Sequence, residues 1–155
     1  PGFVRSFPTE GYEIAWSGLH GLFETDDLTI VNLECSAGPG TVRRDKTWVF
    51  ACDPAAYASA GAAGVDVASQ ANNHGADWGI QAMLDGSELL RDAGITPVGA
   101  GYGRDDAYAP AVFELPASVW QARYAGSLSR CGAGSVRCLL IHSRITATWL
   151  AVSRA

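Results

Sequence analysis

Four residues in one short stretch carry most of the chemistry this chain can offer. Asn72, Asn73, His74 and Asp77 stand in SQANNHGADWG, residues 69–79, and supply amide oxygens, an imidazole and a carboxylate. Amide and carboxylate oxygens are hard ligands suited to divalent cations, and imidazole is both a metal ligand and a proton donor near neutral pH. A carboxylate three residues beyond the histidine can orient its ring. The same residues also spell a plain turn, because Asn and Gly tolerate turn backbone well. From the residues alone both readings stand. A second carboxylate, Glu34, closes the run LTIVNLE ahead of the breaker SAGPG. It reads either as a solvated strand end or as a group that reaches a metal.

These residues depend on the elements that hold them. GVDVAS, residues 64–69, reads as a short buried strand entering from a turn, and Ile80–Arg91 follows helical spacing through Ile80, Met83, Leu84, Leu89 and Leu90. The polar cluster therefore falls at the carboxyl end of a strand, the edge where open α/β sheets bind ligands. Leu28–Leu33 is a second strand, with Asn32 inside it and Glu34 at its tip. Ile95–Val98 after Gly94 is a third strand, and Ala111–Glu114 a fourth. Asp53 and Pro54 form a helix start, N-cap then first helical position, for an Ala-rich helix ending near residues 61–64. Ile14–Thr25 reads as an amphipathic helix in spite of two glycines, with His20 as a surface or packing residue. Strands alternating with helices predict the α/β class.

Between the second strand and the Ala-rich helix lies the loop Ala37–Lys46, with Arg43, Arg44 and Lys46. These cations either neutralise a phosphate or polyanion or are simply solvated. TWVFA, residues 47–51, reads as an extended segment over that loop. The glycine-rich turn GAGYGR, residues 99–104, is a weak phosphate cradle, because DDAYAP does not open a convincing helix and Pro110 interrupts it.

The 155 residues suit one domain with a real core. A start at Pro1 reads as a fragment or processed product. No apolar run approaches the roughly 20 residues that cross a bilayer, and no signal peptide is visible. Residues 1–114 hold 6 of the 11 Lys and Arg and all 16 Asp and Glu. That acidic body argues against nucleic-acid binding, which needs clustered cations, and suits either cation binding or an ordinary solvated surface. Cys35, Cys52, Cys131 and Cys138 lack CxxC spacing, which argues against a zinc knuckle. All four are read as free thiols, although Cys35 and Cys52 lie near loop signals where pairing is open in an oxidising compartment.

Beyond Leu115 the pattern changes. Residues 116–155 carry Arg123, Arg130, Arg137, Arg144 and Arg154 with no acid, and no clean periodicity appears before CLLIH, residues 138–142. This is an irregular basic tail, read either as a peripheral segment or, preferably, as a non-native stretch translated in a shifted frame.

DLTIVNLE and ASQANNHGADWG, with VGAGYG after the helix, resemble the CapA-like family of bacterial capsule and poly-γ-glutamate synthesis proteins. The resemblance covers Phe23–Glu114 and implies a calcineurin-like metallophosphoesterase sandwich, partial here, over residues 1–115. It implies that Glu34 and Asn73 are metal ligands, for manganese, iron, magnesium or zinc. His74 is then the proton donor beside the phosphate, with Asp77 orienting it. Apart from the resemblance, Asn32, Asn72, Arg43 and Arg44 are read as substrate contacts. It further implies an anionic polymer or phosphoester substrate, a capsule-synthesis membrane complex as partner, and a cell-surface or membrane-associated setting. The family's Gly-Asp strand end has no counterpart in residues 1–13. Its histidine before Trp-Gly and its Gly-His-His-Pro-His loop are also missing, since His142 is the only histidine after His74. The expectation is a partial site with weak metal affinity and no robust turnover. The alternative is a non-catalytic α/β scaffold or binding component of a cell-surface polymer assembly.

Overall fold

The computed structural model describes residues 10–38, 40, 42–116, 129–131, 136–141 and 150–151, with side chains described as far as residue 113. Its centre is a four-stranded sheet whose strands lie in the order Thr96–Val98, Val67–Ser69, Thr29–Asn32 and Leu150–Ala151. Strands β1 (Thr29–Asn32), β4 (Val67–Ser69) and β5 (Thr96–Val98) run parallel, and β9 (Leu150–Ala151) lies antiparallel against β1. Helix α2 (Pro54–Ala62) precedes β4, and α3 (Ile80–Asp92) connects β4 to β5. The expected α/β class is therefore what the chain adopts. Its three parallel strands and two main helices fall where the periodicity predicts them.

Alternation along the strands divides the core between two faces. Leu28, Val67 and Val98 pack on one face with Ile30 and with Ala111 and Phe113 of β6 (Ala111–Pro116). On the other face Ala68, Leu90 and Ile95 pack with Val31, Leu33 and Tyr57, so that α2 and α3 cover it. The neighbours Val67 and Ala68 are 0% and 1% exposed and belong to opposite clusters, as expected of a strand buried on both sides. Helix α2 starts as expected, the Asp53 carboxylate accepting the Ala55 amide at 2.9 Å with Pro54 in the first turn.

Four expectations are corrected. Ile14–Thr25 is not one helix. It forms two 3-10 turns, Tyr12–Ala15 and Ser17–Leu19, and a single turn α1 (Leu22–Thr25). The break falls where His20 and Gly21 take left-handed backbone at φ 50° and 75°, which a continuing helix forbids. Next, residues 104–108 do form a short helix, α4 (Arg104–Tyr108). The tail is not wholly irregular either: β7 (Ser129–Cys131) and β8 (Val136–Ile141) pair antiparallel, β8 also pairs with β6, and β9 joins the main sheet. Finally, Cys35 and Cys52 are not free thiols but a disulfide, with Cα atoms 5.6 Å apart.

That disulfide has a local logic. β2 (Ser36–Ala37) and β3 (Ala51–Cys52) form a two-residue parallel ladder, with Ser36 opposite Ala51 and Ala37 opposite Cys52. So short a ladder holds little by itself. The cross-link spans a sequence separation of 17, and the Gly38 amide donates to the Cys52 carbonyl at 2.7 Å. The described residues from Gly38 to Phe50 thus belong to a loop pinned at its base. Closing a loop of this size in the unfolded chain is worth about 3 kcal/mol. The double variant Cys35→Ser, Cys52→Ser is expected to lose that amount in urea unfolding. Wild type treated with a reductant should match it.

Candidate functional site

Parallel neighbours point the same way, so the carboxyl ends of β1 and β4 lie side by side. Asn32 is level with Ser69, and past the ladder the Leu33 amide still donates to the Ser69 carbonyl at 2.9 Å. This register brings the two polar tips together. Asn72 Nδ2 donates to Asn32 Oδ1 at 2.9 Å and to the Leu33 carbonyl at 2.8 Å, while Asn72 Oδ1 accepts the His74 amide at 2.9 Å. Asn32 Nδ2 donates to Glu34 Oε1 at 2.8 Å. One chain of side-chain bonds therefore runs from Glu34 through Asn32 and Asn72 to the backbone of His74. The amide of Asn72 is spent on this bridge, and both of its N–H groups have acceptors.

Two glycines permit the tight approach. A Cβ on Gly75 would collide with the Gln70 carbonyl, and Gly99, at φ 86°, lies against the backbone and side chain of Ala71. Beneath the turn, the Gln70 side chain is 1% exposed and fixed to α3. Its Nε2 donates to the Met83 carbonyl at 2.9 Å and its Oε1 accepts from Ser87 Oγ at 2.7 Å.

The hydrogen bonding of the turn is centred on Asp77, which is 1% exposed. Oδ1 accepts from Lys46 Nζ at 2.5 Å, and Oδ2 meets His74 Nδ1 at 2.7 Å and the Phe50 amide at 3.0 Å. Burial pushes this carboxyl up, but the Lys46 ammonium, the His74 ring and the Phe50 amide outweigh it and hold it at about 2. An ionised carboxylate only accepts hydrogen bonds, so His74 Nδ1 must be the donor. Nε2 is then the nitrogen left to give or take a proton. The Phe50 ring lies against the imidazole, centroids 4.3 Å apart, and helps fix its plane.

Expected site residues are thus partly convergent. His74 and Asp77 form a dyad, and Asn32, Asn72 and Glu34 form a connected row beside it. Asn73 is exposed and contributes its carbonyl to Lys46 at 2.6 Å. Arg43 and Arg44 are exposed on the loop. The Arg43 guanidinium donates to the carbonyls of Arg44 and Lys46, and the Arg44 amide donates to the Asp77 carbonyl at 2.8 Å.

Lys46, Phe50, Ser36 and Gln70 were not among the expected site residues. Ser36 Oγ donates to the Gly75 carbonyl at 2.9 Å, which ties the base of the pinned loop to the turn. The one signal for Lys46 was its place in a run of cations that the sequence could not rank.

The oxygens of Glu34 and Asn73 fit a divalent cation in kind, since both are hard donors on exposed residues. Among the described residues no three of His, Cys, Asp and Glu converge in a metal-binding group.

Because the folded-state value of Asp77 lies below the ordinary 3.8, its ionised form stabilises the protein fully above about pH 4, and that contribution is lost as pH falls toward 2. A shift of this size is worth about 2 kcal/mol. The stability difference between wild type and Asp77→Asn, followed by urea unfolding from about pH 5 to pH 2, is expected to shrink by that amount.

Comparison with known proteins agrees with the sequence motifs. Two proteins of Sinorhizobium fredii strain NBRC 101917 / NGR234, the uncharacterized proteins y4sH and y4uA, are each 38% identical to this chain over 53 residues. Those residues are 34% of this chain and 12% of each relative, so the chain spans a small part of their length. No helix among the described residues is long and apolar enough to cross a membrane. The family of the bacterial capsule synthesis protein PGA_cap matches residues 2–129, most of the chain, and it is to this family that the chain belongs.

Proposed function

We propose that this chain carries one part of a metal-dependent phosphoesterase-type site, in a protein serving the synthesis or export of an anionic capsule polymer. The observation that supports this most directly is the His74–Asp77 pair, standing beside the bonded row of Asn32, Asn72 and Glu34 at two adjacent strand ends. In this reading Glu34 and Asn73 donate oxygens to a divalent cation such as manganese, iron, magnesium or zinc. A cation so held, when bound, polarises a phosphoryl oxygen and lowers the pKa of its water. His74 holds the proton for a leaving oxygen at Nε2, while Asp77 keeps Nδ1 occupied and the ring oriented. Arg43 and Arg44 offer charge to the substrate from the rim.

The reading also predicts limited activity. Two oxygen donors leave most of a cation's coordination to water or to groups outside those described, so affinity is weak and release of phosphate from an aryl phosphate is slow. A second reading has one observation in its favour. Trp48, 70% exposed, shares a loop with the exposed Arg43 and Arg44, a combination suited to holding an anionic polymer without chemistry. Polymer binding that persists in EDTA and survives His74→Ala would favour this reading over the first.

Manganese titration separates them. Wild type is expected to gain about 3 °C in melting temperature at tenfold excess over the dissociation constant. Glu34→Ala and Asn73→Ala should each abolish the gain. An unchanged melting point at millimolar manganese, or equal gains in all three proteins, would remove the cation site from the proposal.

A further inference from the structure

The three cations of residues 43–46 are not equivalent. Arg43 is engaged with carbonyls of its own loop, and the only contact shown from Arg44 to Asp77 is through backbone. Lys46 alone among them sends its charged group into the turn. Its ammonium has three N–H donors, and two are committed, to Asp77 Oδ1 at 2.5 Å and to the Asn73 carbonyl at 2.6 Å. Those acceptors flank His74 in the chain, one residue before it and three after. The ammonium therefore bridges the two ends of the turn that carries the histidine.

We propose that Lys46 is a positioning residue: by engaging Asp77 Oδ1 and the Asn73 carbonyl together, it dedicates Asp77 Oδ2 to His74 and locks the ring in its Nδ1–H tautomer. This deepens the role given to His74 above and rests on that reading for its functional meaning.

The argument turns on the two oxygens of one buried carboxylate. Oδ2 serves both His74 and the Phe50 amide, so Oδ1 is the oxygen that Lys46 must satisfy. Without the ammonium, an anionic oxygen in a 1% exposed side chain has no donor from Lys46, and leaving such a group unpaired is costly. Rotation of the carboxylate toward another donor relieves that cost and takes Oδ2 away from the ring. A histidine freed in this way populates both neutral tautomers, and Nε2 stops being a dedicated proton site.

The test reads the ring directly. Long-range proton–nitrogen spectra of nitrogen-15-labelled protein, recorded in EDTA with the ring neutral, report which His74 nitrogen carries the proton. The His74→Gln spectrum identifies its signals among those of the three histidines. Wild type is expected to show Nδ1 protonated, and Lys46→Met to show the two nitrogen shifts drawn together as the tautomers mix. Lys46→Arg, which keeps the charge, should retain the wild-type pattern, and Arg91→Met, which removes an exposed cation of α3, should leave it unchanged. Wild-type shifts in a folded Lys46→Met protein would overturn the proposal.

A second measurement needs no variant. The Lys46 ammonium protons of wild type should exchange with water more slowly than those of a free lysine, and should show cross-relaxation to the His74 Nδ1 proton. Free-lysine exchange would equally overturn it. Since the spectra contain no metal, a failed manganese titration leaves this result standing.

Discussion

A carboxylate removed from water has to be met by donors, and Asp77 obtains them from separate parts of the chain. His74 comes from its own turn, while Lys46 and the Phe50 amide come from a loop about thirty residues earlier. Burial of this one charge therefore requires that the loop close over the strand end. The lowered Asp77 value expresses the outcome, since ionisation is favoured even though desolvation opposes it. The position of the imidazole is a product of the same balance, set by a carboxylate whose own orientation is fixed from the far side by a cation.

Two supports make that closure possible. From below, Gln70 anchors the turn to α3, and Gly75 and Gly99 let backbones approach where any side chain would collide. From the side, the Cys35–Cys52 bond and Ser36 hold the base of the loop against the turn. The sheet supplies the remaining constraint, because parallel β1 and β4 must end together for Asn32 to meet Asn72.

Much of this was legible in the sequence, for identifiable reasons. Val67 to Ser69, Ile80 to Asp92 and the Asp53–Pro54 helix start were visible because burial, periodicity and capping are local signals. The His74–Asp77 pair was visible because three residues within one turn is also a local relation. What stayed hidden depended on the path of the chain in space. Choosing Lys46 over Arg43 and Arg44 requires knowing which way residues 42–50 fold. The partnership of Cys35 with Cys52 requires knowing that β2 and β3 lie together. The helix expected over Ile14–Thr25 failed for a different reason: its apolar spacing was adequate, but its glycines were discounted, and at Gly21 and its neighbour His20 the backbone turns left-handed. The strands at residues 129–131 and 136–141 rest on pairing with each other and with β6, which composition does not reveal.

The pairing of Asn32 with Ser69 fixes two things at once. It decides that Val67 and Ala68 enter opposite halves of the core, and it sets the level at which the two asparagines meet. Sliding one strand by a single residue would exchange the two halves of the core along β4 and pull the polar tips apart in the same motion. Interior and polar edge are thus indexed by a common ruler. A sequence drifting under selection for a well-filled interior would, without any pressure on chemistry, keep those strand ends aligned.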